Sequence, residues 1–471
     1  MMKQLAKKQI TAEHRERLNP RVFELSHYTL RETDVNPAAL EAKKQEKRVI
    51  DGRLGDPVVF KLFTYGRYRR YVVEAWDDPN TYKYGDACGL VELRNILSEG
   101  NVQFNKKGYA LPPHHVFVGS GISGVARGLL TTLIDPTKGD EVIIPKWSYI
   151  IYLAEAALSG AVVKNVDLTN DGIVDLAKLQ DSITAKTKAI FITTVGNPLG
   201  VAMPYRTFGE IIEMVNRKER EFNHPIYLIA DTIYEDFRAG EPLDPVALSI
   251  QHGRIGPTVE LYSISKMISA PGLRLGWMRV YHNEDGFSDE VHAFCEGYSI
   301  GRQPSLGPAS TASQLALIKL YNELDDPDRR REFDEFKAER RKIVRQRVQT
   351  TLEALSHIDN IVFPHYYYNS GGLNLDVLNS FYILFGVKKE LCPRSELSQA
   401  RMMADFLIEN SDSVLLATPG DHFLAHEYRG HTLKQEYMRI VALSDEPRTI
   451  AECVRKYAES MGKQQALRNN Y

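Results

Sequence analysis

The sequence predicts an α/β protein: a mostly parallel sheet covered by helices on both faces. Three observations predict it. Short, near-continuous apolar runs recur between about residues 49 and 285, amphipathic stretches separate them, and the chemistry-bearing residues fall just after the apolar runs. Strands buried on both faces read as unbroken apolar segments, and parallel strands are joined by helical crossovers. Ligands on such sheets bind outside the carboxyl ends of the strands.

In chain order, residues 1–50 are polar and charged apart from Val22-Phe23-Glu24-Leu25, and read as an N-terminal arm or helical layer. Strands are expected at Val116–Val118, Glu141–Ile144, Ala189–Thr193, Tyr227–Ala230, Val259–Tyr262 and Gly276–Tyr281. The run Val125–Ile134 reads as a helix, and so does Thr207–Arg220, where Phe208, Ile211, Ile212 and Val215 fall at helical spacing. Asp328–Ser356 predicts one long helix with the apolar stripe Phe333, Phe336, Ile343, Val344, Val348, Leu352 and Leu355. Its arginines, from Arg329 to Arg347, alternate with Glu332, Asp334, Glu335 and Glu339, the pattern of a solvated face and not of a nucleic-acid surface. From about 357 to 471 strand-like and helical runs mix, as in a smaller α+β domain. The expected division is 1–70 (arm and part of the small domain), 71–310 (large domain) and 311–471 (small domain).

Bulk composition excludes several classes. The 471 residues are 43% hydrophobic and 25% charged, with a net charge of -2, so no overall field favours nucleic acid or an acidic membrane. Cys88, Cys295, Cys392 and Cys453 are dispersed and read as reduced thiols. The N-terminus lacks the apolar core of a secretory signal, and no apolar stretch is long enough to span a bilayer. A cytoplasmic protein is expected.

The chemistry begins at Lys266, in Ser263-Ile264-Ser265-Lys266, with Arg274 eight residues on in Pro271-Gly272-Leu273-Arg274-Leu275-Gly276. A lysine among hydroxyls, close to an arginine and just after a strand, suits a cofactor that carries an aldehyde and a phosphate. Pyridoxal phosphate needs such a lysine, an acid beside its ring nitrogen, a phosphate cradle and a grip on the substrate carboxylate. Each has a candidate. Lys266 is the amine that captures the aldehyde and moves the α-proton. Asp231 ends an apolar strand and can keep the ring nitrogen protonated; Tyr234 and Asn197 can reach the ring's phenolic oxygen. Gly119-Ser120-Gly121-Ile122-Ser123-Gly124 opens a helix, so the N–H groups around Gly121, Ile122 and Ser123 can close on a phosphate, completed by Ser263 and Arg274. Tyr149 can stack on the ring, with Trp147 and Tyr152 as alternatives.

Together these strings resemble the aspartate aminotransferase superfamily, the fold-type I pyridoxal phosphate enzymes of aminotransferase class I/II. Ser-x-Ser-Lys with Pro-Gly-Leu-Arg-x-Gly follows Asn-Pro-x-Gly and Asp-x-x-Tyr in the family's order, at intervals of 34 and 35 residues. The resemblance is clearest over residues 50–310. It implies a seven-stranded sheet in the large domain and assigns Arg439, in Tyr437-Met438-Arg439-Ile440-Val441, and Gly55 to the substrate carboxylate. It implies that Tyr84 reaches the neighbouring subunit's phosphate, hence a homodimer with shared active sites.

Departures are visible too. Lys266 and Arg439 are 173 residues apart, which points to inserted structure around 320–400. The second arginine of dicarboxylate enzymes has no clear match; Arg302 is the nearest candidate, and Tyr298 stands nearer that position. His422, His426 and His431 lie where the family lines its substrate pocket, but no third metal ligand accompanies the His422/His426 pair, and no metal is assigned. The expected activity is amino transfer from an L-amino acid to a 2-oxo acid. The alternative is a lyase or synthase of the same fold, resembling ACC synthase, that eliminates, substitutes or cyclises, with S-adenosylmethionine a candidate substrate. A cofactor-fold transcription regulator is disfavoured, since residues 1–50 show no helix-turn-helix pattern.

Overall fold

The computed structural model describes residues 37–107, 109–388, 413–419, 423, 437–444 and 446–468. Most of the expected N-terminal arm, Cys392, and His422, His426 and His431 lie outside the described residues, as does the side chain of Arg302.

After a first strand, β1 (Arg48–Asp51), the chain builds a seven-stranded sheet from β2 (Val116–Gly119), β3 (Glu141–Pro145), β4 (Val162–Val166), β5 (Thr187–Thr193), β6 (Tyr227–Asp231), β7 (Thr258–Ser263) and β8 (Gly276–Tyr281). The spatial order is β2-β8-β7-β6-β5-β3-β4. Every pair from β7 to β4 is parallel; β8 alone runs antiparallel to both its neighbours. Strand β4 has no counterpart in the sequence-based assignment. It lies at the sheet edge with its first three residues incompletely buried, so it never needed the continuous apolar run that marked the others.

Helices α1 (Gly66–Asp77), α2 (Gly121–Leu133), α3 (Ile150–Ser159), α4 (Tyr205–Phe222), α5 (Ser288–Ser305), α6 (Thr311–Glu323) and α7 (Pro327–Ser356) follow. Helix α4 carries Phe208, Ile211, Ile212 and Val215 on its buried face, as the spacing required. Its C-terminal turn is clamped to β6 by an ion pair with no exposed surface, Glu219 with Arg254. Arg254 also donates to Asn216 Oδ1 at 3.0 Å, while the Glu219 carboxylate takes the Ile226 N–H at 2.7 Å. Removing one member of such a pair strands the other charge and costs about 3–5 kcal/mol.

Helix α7 corrects the reading of its basic side. Phe333, Val344, Val348, Leu352 and Leu355 are buried as expected, but so are Lys337 and Arg340. Arg340 donates to the carbonyls of Lys266 and Met267, Arg341 to that of Asp236 at 2.8 Å, and Arg347 to those of Phe60 and Leu443. These guanidiniums satisfy loop carbonyls that have no ladder partner.

A second, antiparallel sheet joins Ile361–Val362, β9 (Tyr382–Val387), β11 (Met438–Val441) and Thr418–Pro419, while β10 (Ser413–Leu416) pairs parallel with β1. Helix α8 (Pro447–Arg468) packs on α7. Within the expected insertion, a two-residue ladder pairs Tyr368–Asn369 with Gly372–Leu373. Beside it Tyr366 packs on Gly172, where an added Cβ would come within 2.8 Å of the ring.

Candidate active site

Asp231 is the last residue of β6 and is 3% exposed. One carboxylate oxygen accepts the Tyr152 hydroxyl at 2.7 Å and the other the Ile233 N–H at 3.1 Å. Burial raises the carboxyl to about 6, against the lowering effect of those two donors. No cationic side chain pairs with it among the described residues. Tyr152, an alternative ring-stacker from sequence, is instead Asp231's hydrogen-bond donor and lies stacked on Phe191.

Strand β7 ends at Ser263, whose hydroxyl caps the one-turn helix Ile264–Met267 by accepting the Ser265 N–H at 3.1 Å. That turn presents Lys266. Its ammonium donates to the Gly55 carbonyl and lies 5.5 Å from the Phe381 ring centroid and 6.0 Å from that of Tyr234. Burial lowers the amine to about 8; Asp56 opposes the shift, and Arg439, Arg274 and Arg340 add to it. Arg340 also fixes the backbone of the turn through its two carbonyls.

Helix α2 starts at Gly121 without a side-chain cap, so its first N–H groups lack a capping acceptor. Gly121 has φ +70°, and a Cβ there would sit 2.6 Å from the Arg274 guanidinium. Arg274 is exposed and, among the described residues, donates only to backbone, to Ser120 at 3.2 Å and Pro271 at 3.1 Å. Tyr149 links the parts: its buried phenol is within the influence of the Ser123 hydroxyl and of Arg274, Asp231 and Arg439. Trp147, the other alternative, anchors its backbone N–H on Phe423 at 3.0 Å.

Arg439 sits on β11 opposite Leu384 and Thr418 and is 1% exposed. It donates to Asn197 Oδ1 at 2.9 Å, to Thr418 Oγ1 at 3.2 Å and to the Arg53 carbonyl, and lies 4.6 Å from the Tyr382 ring centroid. Its Nε has no partner, and no carboxylate pairs with it among the described residues. With its oxygen engaged by Arg439, Asn197 has its NH2 group left as donor. Tyr234 and Tyr382 share a hydroxyl hydrogen bond of 2.7 Å, and burial lifts the Tyr234 phenol well above its usual range. Gly55 must be glycine, because a Cβ there would lie 2.2 Å from the Tyr382 hydroxyl oxygen.

Lys266, Asp231, Tyr234, Tyr149, Asn197, Arg439, Gly55, Gly121, Ile122, Ser123, Ser263 and Arg274 are thus brought to one end of the sheet. Tyr84 is not among them. It is 99% exposed and lines an open cleft of about 390 Å³ with Trp76, Tyr82 and Pro308. Tyr298 is 1% exposed and packs on Phe117 and against Gly128, in the core and away from the pocket. Sequence reasoning missed Tyr382 and Arg340. The first lies in an unremarkable apolar strand, and the second was masked by the arginines around it.

The donor set fits a phosphorylated pyridine aldehyde. It offers an amine of lowered basicity, a buried acid without a cation, an uncapped helix start beside an arginine, and a second arginine held dry with an unpartnered N–H. Comparison with known proteins agrees. The family model described as aminotransferase class I and II matches residues 65–442. The aspartate/prephenate aminotransferase of Thermus thermophilus is 28% identical over 295 residues, 61% of this chain and 69% of that protein. The tyrosine aminotransferase of Dictyostelium discoideum is 28% identical over 283 residues, 59% of this chain and 63% of that protein. The match thus spans about two thirds of these curated relatives. The solved alanine aminotransferase of Pyrococcus furiosus shares the fold, with a TM-score of 0.73 at 23% identity over 95% of this chain and 100% of the other.

Proposed function

Because this chain belongs to the class I and II aminotransferase family, whose members depend on pyridoxal phosphate, we propose that it passes an amino group from an L-amino acid to a 2-oxo acid at the site around Lys266. The observation that carries the reading is that Arg439 and Arg274 lie within electrostatic reach of both Lys266 and Tyr149, with Asp231 on the Tyr149 side of the same pocket. When bound, pyridoxal phosphate supplies the aldehyde that holds the amine and a protonated ring that draws electron density from the substrate α-carbon.

The protein's own groups do the rest. Asp231, oriented by Tyr152, holds a proton on the ring nitrogen by placing a carboxylate where water cannot screen it. Lys266, once freed, takes the α-proton and returns it; an amine titrating at about 8 does this near neutral pH. Arg439 receives the substrate carboxylate on its open edge, with the Gly55 backbone alongside. Tyr234 and Asn197 donate toward the ring's phenolic oxygen, and Tyr149 covers the ring. The N-terminus of α2, with Ser263 and Arg274, takes the phosphate.

An exposed apolar face supports the dimer. Tyr84, Tyr82, Trp76 and Val73 are 99%, 69%, 48% and 59% exposed. In this reading a second copy covers them, and Tyr84 completes the neighbour's phosphate site. A division at about residues 70 and 310 is part of this reading, and the large sheet lying within 116–281 with the second within 361–441 supports it. The buried thiols Cys88, Cys295 and Cys453 support a reducing, cytoplasmic setting; no described helix is long and apolar enough to cross a membrane.

The test is a half-reaction. The holoenzyme, given a panel of amino acids and no oxo acid, should release one 2-oxo acid per active site and stop until an oxo acid is added. Continuous product release without an oxo acid would overturn amino transfer in favour of elimination or cyclisation. Lys266→Ala should fold normally but lose the borohydride-fixable link to the cofactor; a link that survives removes Lys266 from its role.

A further inference from the structure

The largest concentration of metal-ligating side chains among the described residues lies away from this pocket. The 3-10 turn Pro113–His115 leads into β2, His282 follows β8, and His292 is in the second turn of α5. The antiparallel register of β2 and β8, with Val116 opposite Arg279, brings the two strand ends together. The ring centroids of His115, His282 and His292 lie 5.0–5.1 Å from one another, and His114 lies 4.5 Å from His115.

Two sets of three share His292. In His114, His115 and His292, and again in His282, Glu284 and His292, one ligand atom of each residue lies within 4.8 Å of the others. The second set already has partners, since His282 and Glu284 both bond the Ser288 hydroxyl at 3.1 Å and each other at 3.4 Å. The first set is less satisfied. His115 has no exposed surface; its Nε2 is 3.2 Å from His292 Nδ1, and the Val280 backbone is its other polar neighbour among the described residues. Two imidazole nitrogens on a tetrahedral zinc, each at about 2.0–2.1 Å, stand about 3.3 Å apart. The observed 3.2 Å therefore suits ligands around one ion as well as a single hydrogen bond.

We propose that His114, His115 and His292 bind one divalent transition-metal ion of the zinc class, with water at the fourth position. His114 and His292 are exposed, so an ion reaches them from solvent, while His115 ties it to the sheet. The ion joins the entry to β2 to the start of α5, pinning a sheet edge. The cofactor cradle begins at the far end of β2, about 13 Å away at four residues of strand, so the ion takes no part in amino transfer.

The experiment titrates chelator-treated holoenzyme, full chain, with zinc chloride by calorimetry. Parallel titration with cobalt(II) is followed by visible absorbance. Expected are one equivalent per chain, cobalt bands of a nitrogen–oxygen tetrahedral set, and a higher melting temperature with zinc. His292→Ala and His114→Ala, both surface changes, should abolish all three and keep the metal-free melting temperature and the transaminase rate; Glu284→Ala should change nothing. Absence of stoichiometric binding, a thiolate charge-transfer band, or binding that survives His292→Ala overturns the proposal. So does loss in Glu284→Ala with retention in His114→Ala.

Discussion

Replacing Arg439 by methionine isolates what a dry guanidinium contributes to substrate choice. The side chain is 1% exposed, has no acidic partner among the described residues and keeps Nε unpartnered, so its desolvation is complete before substrate arrives. A carboxylate reaching it meets a preformed fork in a low-dielectric pocket. Truncating one member of such a pair removes roughly 2–5 kcal/mol, and at 1.4 kcal/mol per decade kcat/KM for an amino acid should fall roughly 30- to 4,000-fold. Methionine matches the apolar stem but lacks the guanidinium carbon that lies 4.6 and 5.1 Å from the Tyr382 and Phe423 rings. Arg439→Lys should fall between, since it keeps charge and loses the fork. The assay compares an amino acid with the primary amine that lacks its carboxylate, at equal cofactor content. The amino acid should lose the full factor and the amine almost none. Equal losses for both would show that Arg439 supports the pocket without reading the carboxylate.

The remaining predictions concern the cofactor's surroundings. Only neutral amine attacks an aldehyde, so cofactor capture by the apoprotein should quicken as pH rises and level off above about 8, where burial holds Lys266. A midpoint near the ordinary lysine value of about 10.4 would contradict that placement. The sign for stability follows: with its folded value depressed, Lys266 favours the apo fold at high pH, and that contribution is lost as pH falls from 10.5 through about 8. Asp231→Asn keeps the shape and the Tyr152 contact but not the charge; kcat should drop on the order of 100-fold or more, and unchanged turnover would refute its role. Mixing inactive Lys266→Ala and Tyr84→Ala chains should restore roughly a quarter of wild-type activity, because half the dimers are hybrids with one intact site. A mixture as inactive as its parts would show that Tyr84 does not act across an interface.

Much of this was legible in one dimension because the chemistry is local. Lys266 and Ser263 share a single turn, Asp231 ends a strand whose apolar run is unbroken, and Gly121 opens the helix that faces the cradle. Residues whose roles depend on distant neighbours were not legible. Arg340 reads as one of many surface arginines until α7 lies across the Lys266 turn, 74 residues away in sequence. Tyr382 acquires meaning only where it meets Tyr234 and the space a Gly55 Cβ would fill. Edge strand β4 was invisible for the opposite reason: with one side open to water it carries little apolar signal.

The sequence by itself determined the sheet's buried strands, the long helix and the set of reactive side chains, since hydrophobic period and residue chemistry are properties of short segments. Only the tertiary structure decided which guanidiniums face water and which stay dry, and that four histidines from two strand ends and a helix meet. Burial and long-range register arise when the chain closes on itself, and no local pattern encodes them.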